Sequence, residues 1–223
     1  MNEKTWSAVD DYLCDLFVPH DAVLEETLAA SVAGGLPEIQ VSPTQGKLLH
    51  FLARMQGAKR ILEFGTLGGY STIWLARALP ADGRLVTLEY EAKHAEVARA
   101  NFVRAGVDKI VDLRVGAALE TLPQLAREGE GPFDLIFIDA DKEGYPEYFQ
   151  WALRFSRRGT VIIADNVVRK GAVIEPDHSD ARVQGVRRFF DRVAAEPRVT
   201  TTAIQTVGGK GYDGLAISLV IAD

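Results

Sequence analysis

The chain has 223 residues, 47% hydrophobic and 25% charged, enough apolar side chain for one substantial core. Its formal charge of -6 argues against a nucleic-acid surface, because phosphate neutralisation calls for a basic excess or stripe. A single cysteine, Cys14, excludes an internal disulfide and a cysteine-rich zinc site, and no apolar run approaches the roughly 20 residues that cross a bilayer.

The opening residues MNEKTWSAVDDYL lack a basic stretch followed by an apolar one, so no secretory signal is read and a cytoplasmic location is expected. Trp6, Val9, Leu13, Leu16 and Phe17 recur at three- and four-residue steps, the spacing of a buried helical stripe, and Cys14 within it is expected to be a buried thiol. Pro19 breaks that pattern, and a second helical segment follows from about Asp21 to Ala33. Ser42 before Pro43 is a cap followed by a first-turn proline, opening a third helix through Leu48, Leu49 and Leu52. Residues 1–57 thus read as a helical N-terminal extension.

From Arg60 the pattern changes to short apolar runs at Arg60–Phe64, Arg84–Glu89, Ile110–Val115, Phe133–Asp139 and Thr160–Asp165. Helical stretches lie between them, including Ser71–Leu79 and Ala92–Ala105. Short buried strands alternating with helices predict an α/β fold, doubly wound, with a mostly parallel sheet covered on both faces. Val199–Ile204 and Leu215–Ile221 read as a closing strand pair separated by the glycine-rich stretch Gly208–Gly214. No repeat or linker interrupts the pattern, so residues 1–223 are expected to form a single domain.

In such a sheet ligands bind beyond the carboxyl ends of the strands. After the first run comes Glu63-Phe64-Gly65-Thr66-Leu67-Gly68-Gly69-Tyr70-Ser71, where glycines permit a sharp turn and close backbone approach. A tight strand-to-helix turn without a ligand would use the same residues. The spacing is not Gly-x-Gly-x-x-Gly, and Glu63 places a carboxylate where a dinucleotide pyrophosphate would lie. That disfavours NAD and suits a cationic ligand such as a sulfonium bearing an amino group. Glu89 closes the second run at the position of a ribose-hydroxyl acceptor, a feature NAD-binding folds share.

The fourth and fifth runs end in Asp139-Ala140-Asp141-Lys142 and Asp165-Asn166. Buried carboxylates are costly unless paired or bound to a cation, and Asp139, Asp165 and Asn166 supply the hard oxygen donors that Mg²⁺, Ca²⁺ or Mn²⁺ prefers. A helix cap at Asp139 and a turn at Asp165-Asn166 are the plainer alternatives. His20, His50, His94 and His178 show no metal-ligand spacing, while Tyr145 and Tyr148 lie near enough to stack on a cofactor or substrate.

Together the Glu63–Ser71 turn, Phe137-Ile138-Asp139-Ala140-Asp141-Lys142 and Asp165-Asn166-Val167-Val168 resemble the cation-dependent O-methyltransferases that include caffeoyl-CoA and catechol O-methyltransferases. The likeness runs through nearly the whole chain, ending with Gln205–Gly208 and Asp213-Gly214. It implies a Rossmann-like, seven-stranded sheet with its last strand antiparallel, and methyl transfer from S-adenosylmethionine to a vicinal dihydroxy aromatic such as a caffeoyl or flavonoid compound. Glu63, Gly65, Thr66, Ser71, Glu89 and Ala118 would line the cofactor pocket, with Val41 at its methionine part. Asp139 would serve both cofactor and metal, joined by Asp165 and Asn166 as metal ligands, and Lys142 would be the general base. A homodimer is also implied. An NAD-dependent dehydrogenase is the rival from another class, and a non-catalytic cofactor-binding module is the third reading.

Overall fold

The computed structural model describes residues 3–223, so Met1 and Asn2 of the expected N-terminal extension lie outside the described residues. Three helices come first: α1 (Glu3–Phe17), α2 (Ala22–Ala33) and α3 (Pro43–Gln56). Asp21 caps α2 by accepting from the Leu24 amide at 3.1 Å, and Ser42 caps α3 by accepting from Gln45 N at 3.2 Å. Such caps are worth about 1 kcal/mol each, because they satisfy amides that have no partner inside the helix. Gly57, in the left-handed conformation, ends α3.

The alternating part follows as β1 (Arg60–Phe64), α4 (Tyr70–Ala76), β2 (Arg84–Glu89), α5 (Ala92–Ala105), β3 (Val111–Val115), α6 (Ala118–Arg127), β4 (Leu135–Ile138), α7 (Tyr145–Arg154), β5 (Val161–Asp165) and α8 (Ala181–Ala195). It closes with the hairpin β6 (Val199–Gly208) and β7 (Gly211–Val220). Sheet order is β3-β2-β1-β4-β5-β7-β6, with β7 antiparallel to both neighbours, as expected.

Alternation along the strands builds two cores. Leu62, Phe64, Ile136 and Ile138 face one side, where they meet Leu122, Phe149 and Phe189 from α6, α7 and α8. Ile61, Leu135 and Phe137 face the other, against Leu49, Ile73 and Phe102 from α3, α4 and α5. Each such fully buried Leu, Ile or Phe contributes about 1.5–3 kcal/mol.

Four expectations are corrected. The α1 stripe is not buried, since Val9, Leu16 and Phe17 are exposed and α1 has no buried residue. Cys14 is only partly covered. Gly208–Gly214 is not a loop, because β6 runs to Gly208 and β7 starts at Gly211. Tyr145 and Tyr148 are packed in the α7-side core, so neither ring is free to stack on a ligand. Among the described residues no helix is long and apolar enough to cross a membrane.

Candidate active site

The topological switch lies between β1 and β4, where the chain turns from one half of the sheet to the other, and the carboxyl ends there form the expected crevice. Gly65 leaves β1 at φ +90°, and a Cβ on it would lie 2.0 Å from the Asp139 carbonyl oxygen. Only glycine fits both the conformation and that approach. Gly68 and Gly69 are similarly tight against Ser31 of α2 and Phe102 of α5, so the glycines let the loop settle on neighbouring protein. Asn101 of α5, fully buried, donates to the Gly68 carbonyl at 2.8 Å.

Glu63 is fully buried on the α4 side of β1, with its carboxylate among three hydroxyls. Ser71 donates to Oε1 at 2.7 Å, while Thr72 and Thr87 donate to Oε2 at 2.5 and 2.8 Å. Burial pushes its carboxyl up to about 7, against the pull of those three hydrogen bonds. Thr66 meets Thr87 hydroxyl to hydroxyl at 2.6 Å.

Glu89 accepts from the amides of Thr66 (3.1 Å) and Leu67 (2.7 Å) on Oε2, and on Oε1 it meets the Glu91 amide (2.9 Å) and His94 Nδ1 (3.2 Å). It therefore fastens the glycine turn to the end of β2. Ala118 starts α6 just past Gly116, whose amide donates to the Glu89 carbonyl at 2.8 Å, and is half-buried. Val41 is buried in the core on the α3 side.

β4 and β5 pair with Ile138 opposite Ala164, so Asp139 and Asp165 emerge side by side. Lys142 Nζ donates to Asp139 Oδ1 at 2.9 Å and to the Tyr145 hydroxyl at 2.8 Å. The Tyr145 proton is directed to the carbonyl oxygens of Asp165 (2.9 Å) and Ile138 (3.1 Å), which holds the amine over both strand ends. Asp165 Oδ2 accepts from Gln45 Nε2 at 2.6 Å and Oδ1 from the Asn166 amide at 2.7 Å. Burial and the negative charge of Asp139 push the Asp165 carboxyl up, while Lys142 pulls it down. Asn166 has φ 55°, a left-handed conformation asparagine tolerates better than most residues.

The site thus brings together Asp139, Asp165, Asn166 and Lys142, and separately Gly65, Thr66, Glu63, Ser71 and Glu89 around the turn. Among the described residues no group of three or more His, Cys, Asp or Glu side chains is placed to hold a metal, so an amide would have to complete any donor set. Asp139, ion-paired with Lys142, and Asp165, pushed toward its neutral form by burial and the charge of Asp139, fit the hard donor set of a divalent cation. Gln45 escaped sequence reading, since it lies 120 residues from the Asp165 it bonds. Asp213 did too as an anchor: its Oδ1 accepts from the amides of Val168, Arg169 and Gly214 and so shapes the loop after Asn166.

Comparison with known proteins places this geometry. The model of a family described as "O-methyltransferase" matches residues 17–218. The chain is 53% identical over 220 residues to a catechol O-methyltransferase of Niastella koreensis, covering 99% of this chain and all of that protein. It superposes on an O-methyltransferase from Bacillus cereus in complex with SAH with a TM-score of 0.97 and 57% identity, covering 98% of this chain and 100% of the other. The O-methyltransferase TomG from Streptomyces achromogenes, in complex with SAM, gives 0.96 and 54%, with full coverage of both chains.

Proposed function

This chain belongs to the O-methyltransferase family and is an S-adenosylmethionine-dependent O-methyltransferase, and from that premise we propose that it methylates one hydroxyl of a catechol with the help of a divalent cation. The observation that carries this reading is the pair of strand-end carboxylates, Asp139 and Asp165, with Lys142 bonded to the first and fixed by Tyr145. Asp139, Asp165 and Asn166 would hold the cation. When bound it lowers the pKa of an acceptor hydroxyl, whose free value near ~10 leaves it mostly protonated at neutral pH.

Lys142 receives the acceptor's proton at Nζ, in its free-amine form. Its hydrogen bonds to Asp139 and Tyr145 keep that atom at one place, and alignment of bound groups can be worth about 7–11 kcal/mol. Gln45 holds the Asp165 carboxylate from the α3 side. The glycine turn, with Gly65, Thr66, Ser71, Glu63, Glu89 and Ala118, would form the cofactor's side of the crevice, Val41 lying behind it. Four protein donors already surround the Glu89 carboxylate, so a ribose hydroxyl would replace the longest contact, that of His94. Residues 3–223 would act as one domain. The exposed Val9, Tyr12, Leu16 and Phe17 on α1 suit burial against a second copy, which sedimentation would report as a dimer or overturn as a monomer.

A catechol is favoured because three side chains cannot fill a coordination sphere of six or more, which two neighbouring acceptor oxygens could complete. The test is caffeic acid against p-coumaric acid, which lacks one of the two hydroxyls, with matched cofactor and metal. The first should be methylated with a kcat/KM at least tenfold higher. Comparable values would remove the chelating role of the acceptor while leaving methyl transfer itself in place.

A further inference from the structure

Lys142 opens a single 3-10 turn, Lys142–Gly144, between β4 and α7, and several neighbours fix the backbone there. Just before the turn, the Asp139 amide donates to the Phe64 carbonyl of β1 at 2.9 Å. Asp141 Oδ2 accepts from the Gly144 amide at 3.1 Å, and its Oδ1 accepts from the Tyr148 hydroxyl of α7. A further side of the turn is closed by α8, a helix far along the chain from it.

The interior of α8 carries Gly185, a residue that only proline exceeds in disfavouring a helix. Helix propensity alone would place almost any other residue there, and packing supplies the reason for glycine. Gly185 is buried, and a Cβ on it would lie 2.2 Å from the Lys142 carbonyl oxygen and 2.8 Å from the Glu143 Cα. Real Cβ contacts essentially never fall below 3.0 Å, so the helix rests directly on the backbone of the turn. Four residues on, and so on the same face of α8, Phe189 is fully buried with its ring edge toward Tyr145. Those two ring centroids are 5.8 Å apart, with 75° between the planes. Tyr145 is the residue whose hydroxyl accepts from Lys142 Nζ and whose ring centroid lies 4.8 Å from it. One face of α8 therefore touches both the main chain of Lys142 and the ring beside its amine. Val186, Phe189 and Val193 anchor the helix in the α7-side core, so it is not free to slide away.

We propose that Gly185 is a positioning residue for methyl transfer: it lets α8 seat the main chain of Lys142, while Phe189 seats Tyr145, so that Nζ stands where the acceptor's proton is taken. This rests on the reading of Lys142 as the base. An added methyl at position 185 must displace the turn or the helix by about 0.8 Å, the gap between 2.2 and 3.0 Å. A misplacement of about 1 Å, caused far from the reacting atoms, can cost about 10²-fold in rate. The loss has a ceiling, because misplacing Lys142 can forfeit no more than removing it does.

The test is a double-mutant cycle of Gly185→Ala with Lys142→Ala, read as kcat and KM for caffeic acid under saturating S-adenosylmethionine and Mg²⁺. S-adenosylhomocysteine affinity by calorimetry and urea unfolding report on the fold and on the cofactor's side of the crevice. Gly185→Ala alone should lower kcat about 10- to 100-fold, with KM and S-adenosylhomocysteine affinity within about twofold of wild type. Placed on Lys142→Ala, the same change should lower kcat by less than about threefold, because the group it misplaces is already gone. A merely structural role would instead give the same loss in both backgrounds, and that result overturns the proposal. So does a kcat within about threefold of wild type for Gly185→Ala, or a loss of cofactor affinity in step with kcat in a folded variant. Should Gly185→Ala show no cooperative urea transition, the cycle is run with Phe189→Leu, which frees the Tyr145 ring, and the same additivity criterion decides. If Lys142→Ala itself keeps kcat within about threefold of wild type, the base reading falls and this proposal falls with it. If Lys142→Ala is strongly impaired and the losses are additive, only the positioning role falls.

Discussion

Glu63→Gln isolates a buried proton. The Glu63 carboxyl is held up to about 7 from its ordinary 4.5, chiefly by burial on the α4 side of β1. The folded protein therefore keeps a proton that the unfolded chain releases between pH 4.5 and about 7, so more protons are bound in the native state across that window. Stability from this group is fully present below 4.5 and is lost as pH rises through about 7. At about 1.4 kcal/mol per factor of ten in proton affinity, the loss amounts to about 3 kcal/mol. Glutamine is neutral at every pH, and its oxygen can accept from Thr72 and Thr87 while its amide nitrogen donates to the Ser71 hydroxyl. Urea unfolding of both proteins at pH 5 and pH 8, without cofactor, measures the difference of differences. Other titrating groups, Asp165 among them, are common to both and cancel. Wild type should lose about 3 kcal/mol more than Glu63→Gln between the two pH values. Parallel pH dependences would refute the buried, protonated carboxyl.

Lys142→Ala should lower kcat by about 10²–10⁴-fold with little change in cofactor affinity, measured by steady-state kinetics and calorimetry; a kcat within about threefold of wild type would refute its role as base. Gly65→Ala and Gly57→Ala form a matched pair, since both glycines have positive φ but only the first would drive a Cβ to 2.0 Å from a backbone oxygen. Gly57→Ala should cost about 1 kcal/mol in denaturant unfolding and Gly65→Ala several times that, or prevent folding; equal costs would contradict the close approach of the turn to Asp139.

The strand-and-helix pattern was legible where burial on both faces left continuous apolar runs. β1, β2 and α5 begin and end at the residues read from sequence. β6 was read too short because it is an edge strand whose residues are largely exposed, so its sequence carries little hydrophobic signal. The α1 stripe has helical spacing, but spacing says only which residues share a face, and among the described residues that face is covered in part: Trp6 and Leu13 are half-buried while Val9, Leu16 and Phe17 stay exposed. The hydroxyls around Glu63 could be read from strand parity, because Glu63 shares a face with Ile61, on the side where α4 brings Ser71 and Thr72. Asp139 and Asp165 stood out because carboxylates at the ends of buried strands are expensive without a partner, whereas Lys142 was singled out through the family resemblance alone. Gln45 and the hydroxyl of Tyr145 were not, since their partners are set by tertiary packing of α3 and α7 on the sheet ends.

The cation's part in methyl transfer is tested most directly by titrating Mg²⁺ into chelator-treated wild type and Asp165→Ala, with S-adenosylmethionine and caffeic acid saturating. Wild type should be silent without metal and regain turnover in a saturable way. Asp165→Ala should stay silent at all concentrations that activate wild type while still binding S-adenosylhomocysteine. Full turnover of chelator-treated wild type, or an unchanged metal response in Asp165→Ala, would contradict a cation held at the ends of β4 and β5.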